Sequence, residues 1–143
     1  MSLQTEHLLN CIMTLESSLE HLDKVSSDSL DHKVFRNAAI KGFELTLETA
    51  GKLLRKSLKL FSGNPREIDE LVFKDVLRQA GKHGLIDSDG IERWFKYRDN
   101  RNSTAHDYSE AFAEETLKLL KEFVQDAKSL QITLKNKLGS KSA

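Results

Sequence analysis

A chain of 143 residues fits one domain, long enough to bury a core without disulfides or metal staples. Its 22 Lys and Arg balance its 22 Asp and Glu, so no global basic field draws it to nucleic acid or membrane. Any such contact has to come from a local patch. A charged fraction of 31%, an apolar fraction of 38% and a single proline suit a soluble, mostly helical chain.

"MSLQTEHLLN" lacks the basic start and apolar run of a signal peptide, and no run of about 18 apolar residues marks a membrane span. No membrane contact is therefore expected, and the expected location is cytoplasmic. Leu8, Ile12, Leu15, Leu19 and Leu22 recur at spacings of four and three, which predicts a first amphipathic helix. Cys11 lies within this pattern and is expected to be a buried structural thiol rather than a nucleophile.

Ser26, Ser27 and Asp28 end this helix and lead into a longer one over residues 30 to 61. Its stripe is Ile40, Glu44, Leu47, Gly51, Leu54 and Leu58. Two members do not fit. Gly51 gives up about 1 kcal/mol of helix propensity against Ala, which suggests close approach of another helix. Glu44 puts a carboxylate where a Leu belongs, which calls for a cation opposite.

"SGNP" (62–65) separates the next element, with Asn64 as expected cap, Pro65 at the first position and Glu67 in the first turn. A single third helix is expected to carry Ile68, Leu71, Val72, Val76, Leu77 and Ala80, stopping at "GKHG" (81–84). Asp87 is the expected cap of a fourth helix over "DGIERWFKYRDNRNSTAH". The last helix starts near Ser109 and carries Ala113, Leu117, Leu120, Val124, Ala127, Leu134 and Leu138. These elements make an all-α bundle in one domain, residues 1–138, followed by a flexible tail at 139–143.

The fourth helix holds the candidate chemistry. On a helical wheel Ile91, Trp94, Phe95, Arg98, Arg101 and Asn102 share one arc, while Arg93, Lys96, Asn100 and Ser103 share the other. A guanidinium on a core-facing arc needs a carboxylate, a phosphate or a wet cleft. Glu44 is the expected partner of Arg98, as part of one Arg–Glu network tying two helices together. Arg101 fits that reading less well, because one carboxylate serves two arginines poorly.

His106 follows Arg101 by five residues, and Tyr108 adds a hydroxyl two further on. Histidine exchanges a proton near neutral pH, and an adjacent Arg can steady negative charge developing on a phosphoryl group. From spacing alone a lone histidine at a helix end is usually a cap or a surface residue, and Arg-x-x-x-x-His occurs by chance in many chains. No second His or Cys stands at metal-ligand spacing, and there is no glycine-rich phosphate loop and no recognisable Ser-His-Asp set. Neither a metal nor a cofactor is expected.

"RNSTAHDY" matches the Arg-x-x-x-x-His-x-Tyr signature of HEPN domains. "AAIKGFELTLETAGKLL" resembles the Phe-Glu-containing second helix of that family. "FKDVLRQAGKHGLIDSDGIERWFKYRDNRNSTAHDY" resembles its branch of nucleotidyltransferase substrate-binding proteins, and together the likeness spans roughly residues 35 to 125. Gly51 departs from the pattern, where the family carries a bulky, often aromatic residue.

The resemblance implies a five-helix up-and-down bundle that forms a homodimer and works with a separately encoded minimal nucleotidyltransferase. In toxin members of the family the Arg and His carry a metal-independent ribonuclease, silenced when the partner transfers AMP to the tyrosine. Carried over, Arg101 stabilises the scissile phosphate and His106 acts as general acid or base for attack by a ribose 2′-hydroxyl. Asn102 orients them, Tyr108 accepts AMP, and Arg98 and Glu44 support the site. The alternatives are a non-catalytic subunit that binds substrate for its nucleotidyltransferase, and a purely structural dimer whose motif forms a buried polar network.

Overall fold

The computed structural model describes residues 3–104 and 109–139. Six helices follow one another: α1 (Glu6–Asp23), α2 (Leu30–Phe61), α3 (Pro65–Glu70), α4 (Phe73–Lys82), α5 (Ser88–Thr104) and α6 (Glu110–Leu138). The leucine stripe of α1 is buried throughout and packs on α2. Helix α2 is the spine of the molecule and touches every other helix.

Contacts between elements fix the directions. Leu3 N–H donates to the Leu138 carbonyl at 2.8 Å, so the start of α1 lies beside the end of α6. Arg93 meets Asp126 and Asn100 meets Thr116, which sets α5 antiparallel to α6. Lys74 meets Asp99 and Arg78 lies over Phe95, which sets α4 antiparallel to α5. The result is an up-and-down bundle around Phe43, Leu47, Leu54, Trp94, Tyr97, Leu120 and Phe123, all but excluded from solvent.

Several expectations need correction. The third helix is two helices, because Leu71 and Val72 are extended (ψ 138° and 158°). Arg55 of α2 stabilises the break by donating to the Ile68 carbonyl at 2.9 Å, which also accepts from Leu71 N–H, and to the Leu71 carbonyl at 2.7 Å. Val72, expected in the core stripe, is 64% exposed at that break. Asn64 occupies the N-cap position of α3 but its side chain makes no cap bond there. Asp87 does cap α5, accepting from Gly90 N–H at 2.7 Å.

Cys11 is half-buried rather than buried, its Sγ 3.8 Å from Thr49 Oγ1 and 4.0 Å from His7 Nε2. Gly139, assigned to the tail, is held by a bridge to Leu3 and by its N–H on the Lys135 carbonyl at 3.0 Å. The rest of that tail, residues 140–143, lies outside the described residues. Among the described residues no helix is long and apolar enough to cross a membrane.

Candidate functional site

Helix α5 is wedged between two neighbours, and this decides which way its polar residues point. Ile91, Trp94 and Tyr97 enter the core at spacings of three, so the buried stripe winds gradually around the helix. On one flank Arg93, Tyr97 and Asn100 meet α6. Arg93 grips Asp126 through two bonds of 2.8 Å, and the Tyr97 hydroxyl donates to the same carboxylate at 2.5 Å. Asn100 donates to Thr116 Oγ1 at 3.1 Å. The wheel had Arg93 and Asn100 facing away, and it left Tyr97 unassigned. Both polar residues answer side chains of α6 that lie far off in sequence.

This flank is built for rigidity. Burial and the bond to Asp126 push the Tyr97 phenol well above its ordinary range, so it stays a hydrogen donor. The bond to Asp126 likewise raises Arg93, which remains a cation. Phe123 of α6 meets Phe43, Trp94 and Tyr97 edge-on at ring separations of 4.8, 5.5 and 5.0 Å, so the polar and aromatic contacts share one seam.

On the other flank Arg101 and Arg98 face α2 and α4. Glu44 does meet a cation, but that cation is Arg101: Nε lies 3.1 Å from Glu44 Oε2, with the two side chains 36% and 23% exposed. The expected pairing of Glu44 with Arg98 is not made. Residue 44 lies level with the last turn of α5, one turn beyond Arg98. Arg98 lies instead over the Phe73 ring, its guanidinium carbon 4.9 Å from the centroid. That ring sits against Gly51, where an added Cβ would come within 2.6 Å of Phe73 Cε2. The close approach expected at Gly51 is thus made by an aromatic side chain from the first residue of α4.

Asn102 is exposed. His106 and Tyr108 fall within residues 105–108 and lie outside the described residues. The helices on either side of that segment are fixed. Ser109 caps α6 by accepting from Phe112 N–H at 3.1 Å, and Asn100 ties the end of α5 to Thr116. Helix α2 adds a second clamp. His32 Nε2 is 3.1 Å and Arg36 Nη1 3.5 Å from Glu114 Oε1, while Lys33 pairs with Glu110 at 3.3 Å.

The bond from His32, against the opposing effect of burial and with further help from the His32 charge and from Arg36, holds the Glu114 carboxyl below the usual carboxylate range. Arg36 is buried, and among the described residues its Nε meets no acceptor. This second cluster was not read from the sequence. Its only signal there is His32 and Arg36 one turn apart on a long helix. A polar cleft of about 290 Å³, lined by Asp87, Arg93, Trp94 and Asp126 among others, lies at the opposite end of α5 from Arg101.

The arrangement therefore places one carboxylate-held arginine, Arg101, and one ring-held arginine, Arg98, on the last turns of a helix braced from both sides. The model of the family described as nucleotidyltransferase substrate binding protein like matches residues 4–136. The chain belongs to that family. A solved structure from Haemophilus influenzae, described as the fold of a substrate binding domain of a nucleotidyltransferase, superposes with a TM-score of 0.81. It is 26% identical, and the match covers 92% of this chain and 99% of that one. A Haemophilus influenzae protein named "Probable ribonuclease HepT" is 38% identical over 72 residues. That alignment covers 50% of this chain and 48% of the relative, so the chain spans about half the length of the relative it matches.

Proposed function

We propose that this chain is a metal-independent endoribonuclease of the HEPN type, the toxin of a toxin–antitoxin pair, with Arg101 and His106 as its catalytic residues. The observation that carries the reading is the Glu44–Arg101 pair, which steadies a guanidinium at the end of α5 five residues before His106. Neutral His106 takes the proton of a ribose 2′-hydroxyl as its oxygen attacks the adjacent phosphorus. Arg101 stabilises the charge that builds on the phosphoryl oxygens. The bond to the 5′-oxygen breaks, leaving a 2′,3′-cyclic phosphate and, after protonation, a 5′-hydroxyl. Asn102, exposed beside Arg101, orients the phosphate. Two copies of the chain form a homodimer and bring two motifs to one cleft.

The antitoxin is a separately encoded minimal nucleotidyltransferase that transfers AMP from ATP to the Tyr108 hydroxyl, releasing pyrophosphate. The family to which the chain belongs and the name of its Haemophilus relative both support the pairing. Mass spectrometry after incubation with the partner and ATP should find one AMP on Tyr108, with RNA cleavage lost in step. Loss of cleavage without the modification contradicts this mode of silencing.

A second reading is a non-catalytic subunit that presents substrate to the nucleotidyltransferase. The description of the solved relative as a substrate binding domain favours it, as does the zero net charge, which gives no general pull on RNA. Tight binding to the transferase, intact RNA and unimpaired growth of cells making this chain alone would establish it.

A further inference from the structure

We propose that Arg98 is a second phosphate-binding residue, gripping the RNA backbone one phosphate away from the bond cut at Arg101. The inference rests on the ribonuclease reading and extends its site along α5. Three observations lead to it.

The first is the absence of a counter-ion. Among the described residues no carboxylate pairs with Arg98. Glu44 is engaged by Arg101, Asp99 by Lys74 at 2.9 Å, and Asp75 by Arg78 at 2.6 Å. Lys74 and Arg78 also lie along α4 beside Phe95, but their charges are matched. Among the described residues Arg98 makes no such ion pair.

The second is pre-organisation. The guanidinium rests 4.9 Å above the Phe73 ring, and that ring is seated on the bare backbone of Gly51. A guanidinium held over a ring face does not spend its N–H groups on the ring, so they remain able to fork onto phosphate oxygens. Ordering the long side chain before the ligand arrives removes part of the entropy cost of binding. A bulky residue at position 51 would displace the ring, so Gly51 and Phe73 work as a pair.

The third is register. Arg98 and Arg101 are one turn apart on the same flank of α5, at the spacing that puts Cβ atoms about 5–6 Å from each other. Glu44 and Gly51, which support them from α2, are two turns apart on one face of that helix. The two arginines thus form a short row that ends at the motif, suited to successive phosphates of a single strand. Neither contact reads a base, so the row gives affinity without sequence preference.

The test uses a labelled single-stranded oligonucleotide with 2′-O-methyl riboses, which cannot be cut by a 2′-hydroxyl mechanism. Its binding to the full chain is followed by fluorescence anisotropy over a series of KCl concentrations. Arg98→Ala should weaken binding about tenfold at low salt, the loss of one charge-assisted contact. It should also reduce the slope of log K against log [KCl] by about 0.7, one phosphate's share on a single strand. Arg98→Lys should keep the slope while recovering only part of the affinity, because an ammonium neither forks nor stacks as well. Arg98→Gln keeps a long stem over Phe73 without the charge, and should reproduce the lower slope even if the alanine variant is poorly folded. A parent that binds while Arg98→Gln shows an unchanged slope overturns the proposal. Cleavage of ordinary RNA by the parent is scored separately and decides the ribonuclease reading on its own.

Discussion

Replacing Tyr97 by Phe isolates the seam between α5 and α6 without disturbing its packing. The ring is fully buried and meets Trp94 and Phe123 edge-on, contacts that Phe retains. What disappears is a hydroxyl that donates to Asp126 at 2.5 Å and lies 3.3 Å from Glu122. Asp126 is not orphaned, because the Arg93 fork still supplies two bonds. The loss is therefore one charge-assisted hydrogen bond, about 1.5–3 kcal/mol, and not the larger penalty of an unpaired buried charge. Unfolding entropy of about 2.1 cal/mol/K per residue gives this 143-residue chain about 0.3 kcal/mol per degree near its midpoint. The Tm should fall by about 5–10 °C, read by calorimetry or by circular dichroism. Asp126→Ala, which removes the shorter bond of Tyr97 and both bonds of Arg93 at once, should cost more. A Tyr97→Phe variant melting within about 1 °C of the parent would refute the argument that this bond braces the motif helix.

Glu44→Gln keeps the side chain's size and removes the counter-charge of Arg101. Both groups are partly exposed, so stability should change by no more than about 1 kcal/mol. Single-turnover RNA cleavage should drop by about ten- to a hundredfold as the guanidinium loses its fixed position. A large loss of stability with cleavage unchanged would make the pair merely structural. Glu114→Gln tests the α2–α6 clamp through pH. The Glu114 pKa is lowered on folding, so its stabilisation is present above the ordinary carboxylate range and is lost as pH falls through the folded value. The variant should melt below the parent near neutral pH, with the gap closing on acidification. A gap that stays constant into strong acid would mean that Glu114 contributes nothing through its charge.

Local patterns were legible in the sequence, and partners across the bundle were not. The leucines of α1 and the bounds of α2 follow from helical periodicity, because each residue there is judged against neighbours three and four away. The break at Leu71 and Val72 escaped because Arg55, on another helix, supplies the donors that stabilise it. Glu44 was legible as a misfit because a carboxylate in an apolar stripe is costly wherever the stripe packs. Which arginine answers it depends on the register of α5 against α2, and one turn of slip separates Arg98 from Arg101. The wheel assumed that one face of α5 is core and the other solvent. In fact the helix is flanked by α6 on one side and by α2 and α4 on the other, so Asn100 and Arg93 point at protein. A glycine in the α2 stripe signals close approach at residue 51, but that Phe73 is what approaches depends on how α4 packs across α2.

Cleavage of RNA by the purified chain in the presence of a chelator, compared with its His106→Ala and Arg101→Ala variants, tests the central claim most directly. The account predicts products ending in 2′,3′-cyclic phosphate from the parent, and a rate about 10²–10⁴-fold lower without His106. It also predicts a comparable fall without Arg101, with both variants folded. A His106→Ala variant that cuts as fast as the parent, or a parent that leaves RNA intact, would contradict it.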